Sequence, residues 1–116
     1  MSTTFTIKRG DTVPSMVATI SSTVDSVTTV VDLTLATEVL AFFDSSGVIL
    51  ERACVVDANP LLGKVSYTFV DADWATGQFA VGSYKLEFQV TFSDGSILSV
   101  PTSGYLKLTV KPDLSS

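Results

Sequence analysis

Between Gly82 and Pro101 the side chains of Tyr84, Leu86, Phe88, Val90 and Phe92 alternate without interruption against Lys85, Glu87, Gln89, Thr91 and Ser93. That period of two belongs to a β-strand with one buried and one wet face. Asp94-Gly95 follows, and a second apolar run begins at Ile97, so the chain turns back as a hairpin. Loop length then fixes which side chains face inward, because a slip of one residue reverses them all. A two-residue loop would pair Phe92 with Ile97 and turn Leu98 and Val100 outward. A three-residue loop, Ser93-Asp94-Gly95 with Gly95 left-handed, instead pairs Val90 with Leu98, Gln89 with Ser99 and Phe88 with Val100. The second register is expected, with Ile97 left exposed.

The remainder has the same character. Phe5 to Lys8 alternates and is stopped by Arg9-Gly10-Asp11-Thr12 and Pro14, since proline cannot donate to a ladder. Met16 to Ile20 forms the next expected strand. Ser21 to Val31 is rich in Ser, Thr and Val but has no Gly or Pro to mark a turn, so a long loop and a β-excursion both remain open. Thr37 to Asp44 is apolar on both faces, which leaves Phe42 in need of cover from a loop, a partner or the Ser21 to Val31 segment. Asp44 to Gly47 turns the chain into a return strand, Val48 to Asp57. Asn59 to Gly63 is a connection, and Lys64 to Val70 another strand with Val65, Tyr67 and Phe69 inward. Asp71 to Gly77 suits one helical turn that Asp71 caps and Gly77 ends, with Trp74 plugging an end of the fold. Gly104 to Lys111 supplies the last strand, with Tyr105, Leu106, Leu108 and Val110 as core candidates, and 112–116 is a polar tail. The expected architecture is all-β: one domain over 1–116, an immunoglobulin-like antiparallel β-sandwich of seven to eight strands with at most one short helical turn. A small β-barrel is the alternative.

Composition excludes several kinds of chemistry. There is no histidine among the 116 residues, so Ser-His-Asp and Cys-His mechanisms are absent, as are the commonest zinc ligands. Asp71 and Asp73 have the opening spacing of a calcium loop, but Ala75, Thr76 and Gly82 occupy positions where the EF-hand pattern needs a ligand or glycine. Glu38, Glu51 and Glu87 are expected on wet strand faces and not as a catalytic pair. No enzyme activity, cofactor or metal is expected. The net charge of -5 and pI near 4.3 are wrong for a nucleic-acid binder. Nine of the twelve acids are Asp, mostly at expected turns, which makes the acidity turn chemistry. Cys54 alone forms no internal disulfide and is expected as a small buried thiol and not as a nucleophile, and no run is long and apolar enough to span a bilayer as a helix. A cytoplasmic, membrane-free setting is the expectation.

Three segments together carry a resemblance. Phe5-x-Ile7-x-Arg9-Gly10-Asp11-Thr12-x-Pro14, Val31-Asp32-Leu33-Thr34, and Gly82-Ser83-Tyr84-x-x-Glu87-Phe88-x-Val90 with Asp94-Gly95 and Pro101 resemble the N-terminal domain of tailed-phage baseplate upper proteins. The resemblance implies an immunoglobulin-like attachment module without catalytic residues: a structural protein of the virion's tail, baseplate or head-tail region. It would be assembled in the host bacterial cytoplasm and dock on other virion proteins in several symmetric copies. A capsid decoration protein, and a carbohydrate-binding or adhesion module in which Trp74 and tyrosines stack on sugars, are the alternatives. Candidate interaction residues are Arg9, Asp11, Phe42, Trp74 and Ile97. Arg9-Gly10-Asp11 also has the form of an integrin ligand, but a bend after the first strand accounts for it.

Overall fold

The computed structural model describes residues 4–101 and 106–112 and shows a β-sandwich. Its longest strand is β9 (Gly82–Phe92), for which the alternation was diagnostic: Tyr84, Leu86, Phe88 and Val90 are buried and the residues between them are not. Strand β5 (Ala36–Ser45) pairs antiparallel along one side of β9, and β6 (Val48–Ala53) follows β5. Along the other side of β9, β11 (Leu106–Lys111) pairs with its first half and β10 (Ile97–Val100) with its second. Strand β1 (Thr4–Lys8) closes this edge in parallel with β11, the one departure from an antiparallel sheet.

The hairpin register is the one expected. Val90 faces Leu98, Gln89 faces Ser99 and Phe88 faces Val100. Gly95 has a φ of +89°, and the Phe92 amide donates to the Ser96 carbonyl at 2.9 Å across the loop. Ile97 is left exposed.

The facing layer is smaller, comprising β2 (Met16–Thr19), β8 (Lys64–Tyr67) and β7 (Val55–Val56) in the order β2-β8-β7. Met16, Ala18 and Val65 point from it into the core against Phe43, Leu86, Phe88 and Leu108. The expected single return strand after Gly47 is divided: β6 stays in the large sheet, the chain crosses at Cys54, and β7 joins the small one. The Cys54 amide, donating to the Val39 carbonyl at 2.8 Å, keeps the backbone paired as it crosses.

Ser21 to Val31 is a β-excursion. Strands β3 (Ser21–Val24) and β4 (Val27–Val30) form a separate hairpin turned by Asp25 and Ser26, both at positive φ (50° and 66°), which matches the right-handed twist of the strands. Val24, Val27 and Val30 are exposed, and the hairpin is held at its base by the Ile20 amide on the Gly63 carbonyl (2.7 Å) and the Val31 amide on the Ile20 carbonyl (2.9 Å). Two 3₁₀ turns, Pro60–Leu62 and Asp71–Trp74, complete eleven strand segments. Tyr105 and residues 113–116 lie outside the described residues.

Candidate functional site

Three polar or aromatic assemblies occur among the described residues, and two of them are internal. The first centres on Asp73, a buried carboxylate. Its oxygens accept from Arg52 Nε (2.8 Å), the Tyr67 hydroxyl (2.5 Å) and the Val70 amide (2.9 Å). Arg52 also donates to Gln78 Oε1 and lies 5.1 Å above the Phe79 ring. Asp73, and not Asp71, therefore ties down the start of the 3₁₀ turn, and its lone pairs are spent on structural donors. Burial, followed by the hydrogen bond to Asp73 and the charge of Asp73, pushes the Tyr67 hydroxyl well above its ordinary value. Sequence reasoning missed this assembly. The available signal was Arg52, which shares its period-2 face with Leu50 and so needed a buried acid.

The second assembly joins three of the expected interaction residues. Arg9 Nη2 donates to the Trp74 carbonyl at 3.0 Å, and Trp74 Nε1 donates to the Asp11 carbonyl at 3.1 Å. Trp74 is buried, stacked on Phe69 at 5.4 Å and tilted against Phe79 at 6.2 Å. Expected both as a plug at one end of the fold and as a candidate contact residue, Trp74 is the plug, because its indole N–H has found an internal acceptor and its rings an aromatic cluster. Arg9 and Asp11 serve the same end of the sandwich. The Arg-Gly-Asp bend is a latch.

The third assembly faces solvent. Glu38, Leu40, Phe42 and Asp44 lie on the outer side of β5, away from the small sheet. Phe42 is half-buried and stands opposite Glu51 of β6 on one side and Glu87 of β9 on the other. A groove of about 410 Å³ opens there, walled by Phe42, Ile49, Asp44, Lys85, Glu87 and Gln89. A hollow of about 280 Å³ shares Asp44 and Lys85 and runs on to Lys107 and Ser83. Ile97, opposite Thr91, shares the outer face but does not line the groove. The structure thus brings Arg9, Asp11 and Trp74 together at one end, sets Phe42 in the groove, and leaves Ile97 apart.

Two further carboxylates mark turns. Asp32 accepts from the Thr34 hydroxyl and amide, and Asp94 from the Ser96 hydroxyl and amide; these bonds, the hydroxyl one foremost, hold both carboxyls below their ordinary value. Burial pushes the half-buried Cys54 thiol up to about 11, the opposite of activation. No group of three or more His, Cys, Asp or Glu that could hold a metal ion occurs among the described residues.

No family model and no curated protein matches the chain. Among solved structures it is similar to CopC from Methylosinus trichosporium OB3b, at 26% identity over 65% of this chain and with a TM-score of 0.40. The likeness spans 62% of that protein, less than two thirds of its length. The expected function is corrected here: no comparison found a phage protein, and the tail, baseplate, head-tail and capsid readings are withdrawn. The sugar-stacking alternative goes with them, since Trp74 has no free face. A likeness at that TM-score carries no function to this chain.

Proposed function

We propose that this chain is a non-enzymatic binding domain that works by contact with another protein, and that its working surface is the outer face of the large sheet around Phe42. The observation that carries this is the position of Phe42: a large aromatic side chain on the solvent side of a central strand, in a groove, where inward burial cannot account for it. Two further features support it. The buried polar side chains of the described residues are satisfied by structural partners within the sandwich, so the groups left to meet another molecule are those on its surface. The described residues offer no metal-binding donor cluster, and Met16 is spent in the core.

Selection of peptides from a random library on the immobilised protein, followed by amide chemical-shift mapping, tests this reading. Enriched peptides are expected to shift the resonances of Phe42, Ile49, Glu87 and Gln89, and Phe42→Ser to weaken them about tenfold or more, as a central anchor should. Peptides that all map elsewhere, or that bind Phe42→Ser undiminished, would overturn it.

A further inference from the structure

Phe42 is an aromatic ring with a carboxylate on each flank. Glu51 and Glu87 are its direct cross-strand neighbours, a placement that sets Cβ atoms about 4.5 to 5.5 Å apart. Asp44 lies two residues along the same strand face, within the groove and opposite Lys85, which also walls it; Glu38 lies on the same face of β5, and Glu51 stands beside Phe42 at the groove's margin. A partner that covered this face with apolar or acidic groups would strip water from Glu51 and Glu87 beside the ring and leave more carboxylate charge than Lys85 can balance, which is costly. A partner that brings a cation meets both needs. The ring quadrupole attracts a positive charge over its face, and carboxylates receive a guanidinium through paired, charge-assisted hydrogen bonds. Arginine suits the geometry better than lysine, because its plane can lie on the ring while its edges reach outward to the acids. The molecule already contains this arrangement inside: the Arg52 guanidinium sits 5.1 Å from the Phe79 centroid while its Nε donates to Asp73.

We propose that the Phe42 groove seats an arginine side chain of a partner protein, stacked on Phe42 and held between Glu51 and Glu87. This rests on the reading of the outer face as the contact surface and names the chemistry that the surface selects.

The probe is N-acetyl-arginine N-methylamide, titrated into the labelled protein alongside its uncharged citrulline counterpart. Saturable shifts of the Phe42 ring and of the Glu51 and Glu87 amides are expected, with the citrulline compound several-fold weaker. The double variant Glu51→Gln with Glu87→Gln is expected to weaken the arginine probe about tenfold, and Phe42→Leu several-fold, from the sizes of exposed ion pairs and cation–π contacts. Both variants change exposed or half-exposed groups, and an otherwise unchanged amide spectrum confirms that they fold. Equal binding of the citrulline compound overturns the proposal. So does the absence of any shift at about 50 mM probe, well above a millimolar dissociation constant. Library peptides that dock on the Phe42 face without a basic residue would overturn the arginine inference while leaving the contact surface standing. Concentration-dependent shifts of the same resonances without probe would assign the groove to a second copy instead.

Discussion

Arg52 Nε lies 2.8 Å from Asp73 Oδ1, an ion pair whose side chains are only 19% and 4% exposed. Such a pair is costly to break from one side, because the remaining charge has no water to return to. Asp73→Ala would strand Arg52, the Tyr67 hydroxyl and the Val70 amide together. The expected loss in urea unfolding is about 3 to 5 kcal/mol. The double variant Arg52→Met with Asp73→Asn should lose less than the sum of the two single changes, since it removes both charges. A single Asp73→Ala cost below about 1 kcal/mol would show that the network does not hold this end of the sandwich.

Alkaline pH should weaken the fold in two steps. Burial raises the Cys54 thiol from 9.0 to about 11, so above pH 9 the unfolded chain releases a proton that the folded chain keeps. Stability is then fully present below pH 9 and falls as pH rises toward 11. The Tyr67 hydroxyl is raised in the same sense, which adds a loss that begins near pH 10. Unfolding midpoints measured from pH 8 to 11 should decline, and Cys54→Val should flatten the section from 9 to 10. A Cys54→Val profile parallel to that of the unaltered protein would contradict the assignment.

Two glycines separate backbone strain from crowding. At Gly95 (φ +89°) a Cβ would meet nothing within 4 Å, so Gly95→Ala should cost only the left-handed conformation, about 1 to 2 kcal/mol. At Gly63 (φ +64°) the same atom would lie 2.9 Å from the Ile20 carbonyl oxygen, 3.0 Å from that of Val31 and 2.5 Å from Val30 Cγ1. Gly63→Ala should therefore cost roughly 3 kcal/mol or more, strain and overpacking together. Hydrogen exchange gives the finer test: only Gly63→Ala should speed exchange at the Ile20 and Val31 amides, which secure the β3–β4 hairpin.

How far the sequence could be read depended on whether the decisive residue carried a local signal. The β9–β10 register was legible because strict alternation met an Asp-Gly turn, and each alone would have left two registers. The β3–β4 turn was not, because Asp25 and Ser26 take positive φ without being glycine; the trace left behind is the mirrored order Thr23-Val24 and Val27-Thr28. The crossing at Cys54 left no trace, since the apolar pattern continues while the pairing partner changes from β5 to β8. Phe42 was legible as an aromatic residue without a home, whereas Trp74 suggested a ligand only until its acceptor on Asp11 was seen. The motifs behind the phage resemblance prove to be turn and latch devices, Arg9 on Trp74, Asp32 on Thr34 and Asp94 on Ser96. Such devices report how a sandwich is built and are silent on what it binds.

Adjacent phenylalanines on β5 give the most direct check on which side of the sheet meets solvent. Phe43 is fully buried, edge-on to Phe79 at 4.9 Å, and truncation there opens a cavity in close-packed surroundings. Phe43→Ala should cost about 3 to 5 kcal/mol. Phe42, one residue earlier and on the opposite face, loses only partial burial, and water can enter the space its ring vacates. Phe42→Ala should cost on the order of 1 kcal/mol. Comparable losses from the two variants in urea unfolding would mean that the Phe42 ring is covered in solution. In that case the groove would not be an open surface, and both the proposed contact face and its arginine seat would fall.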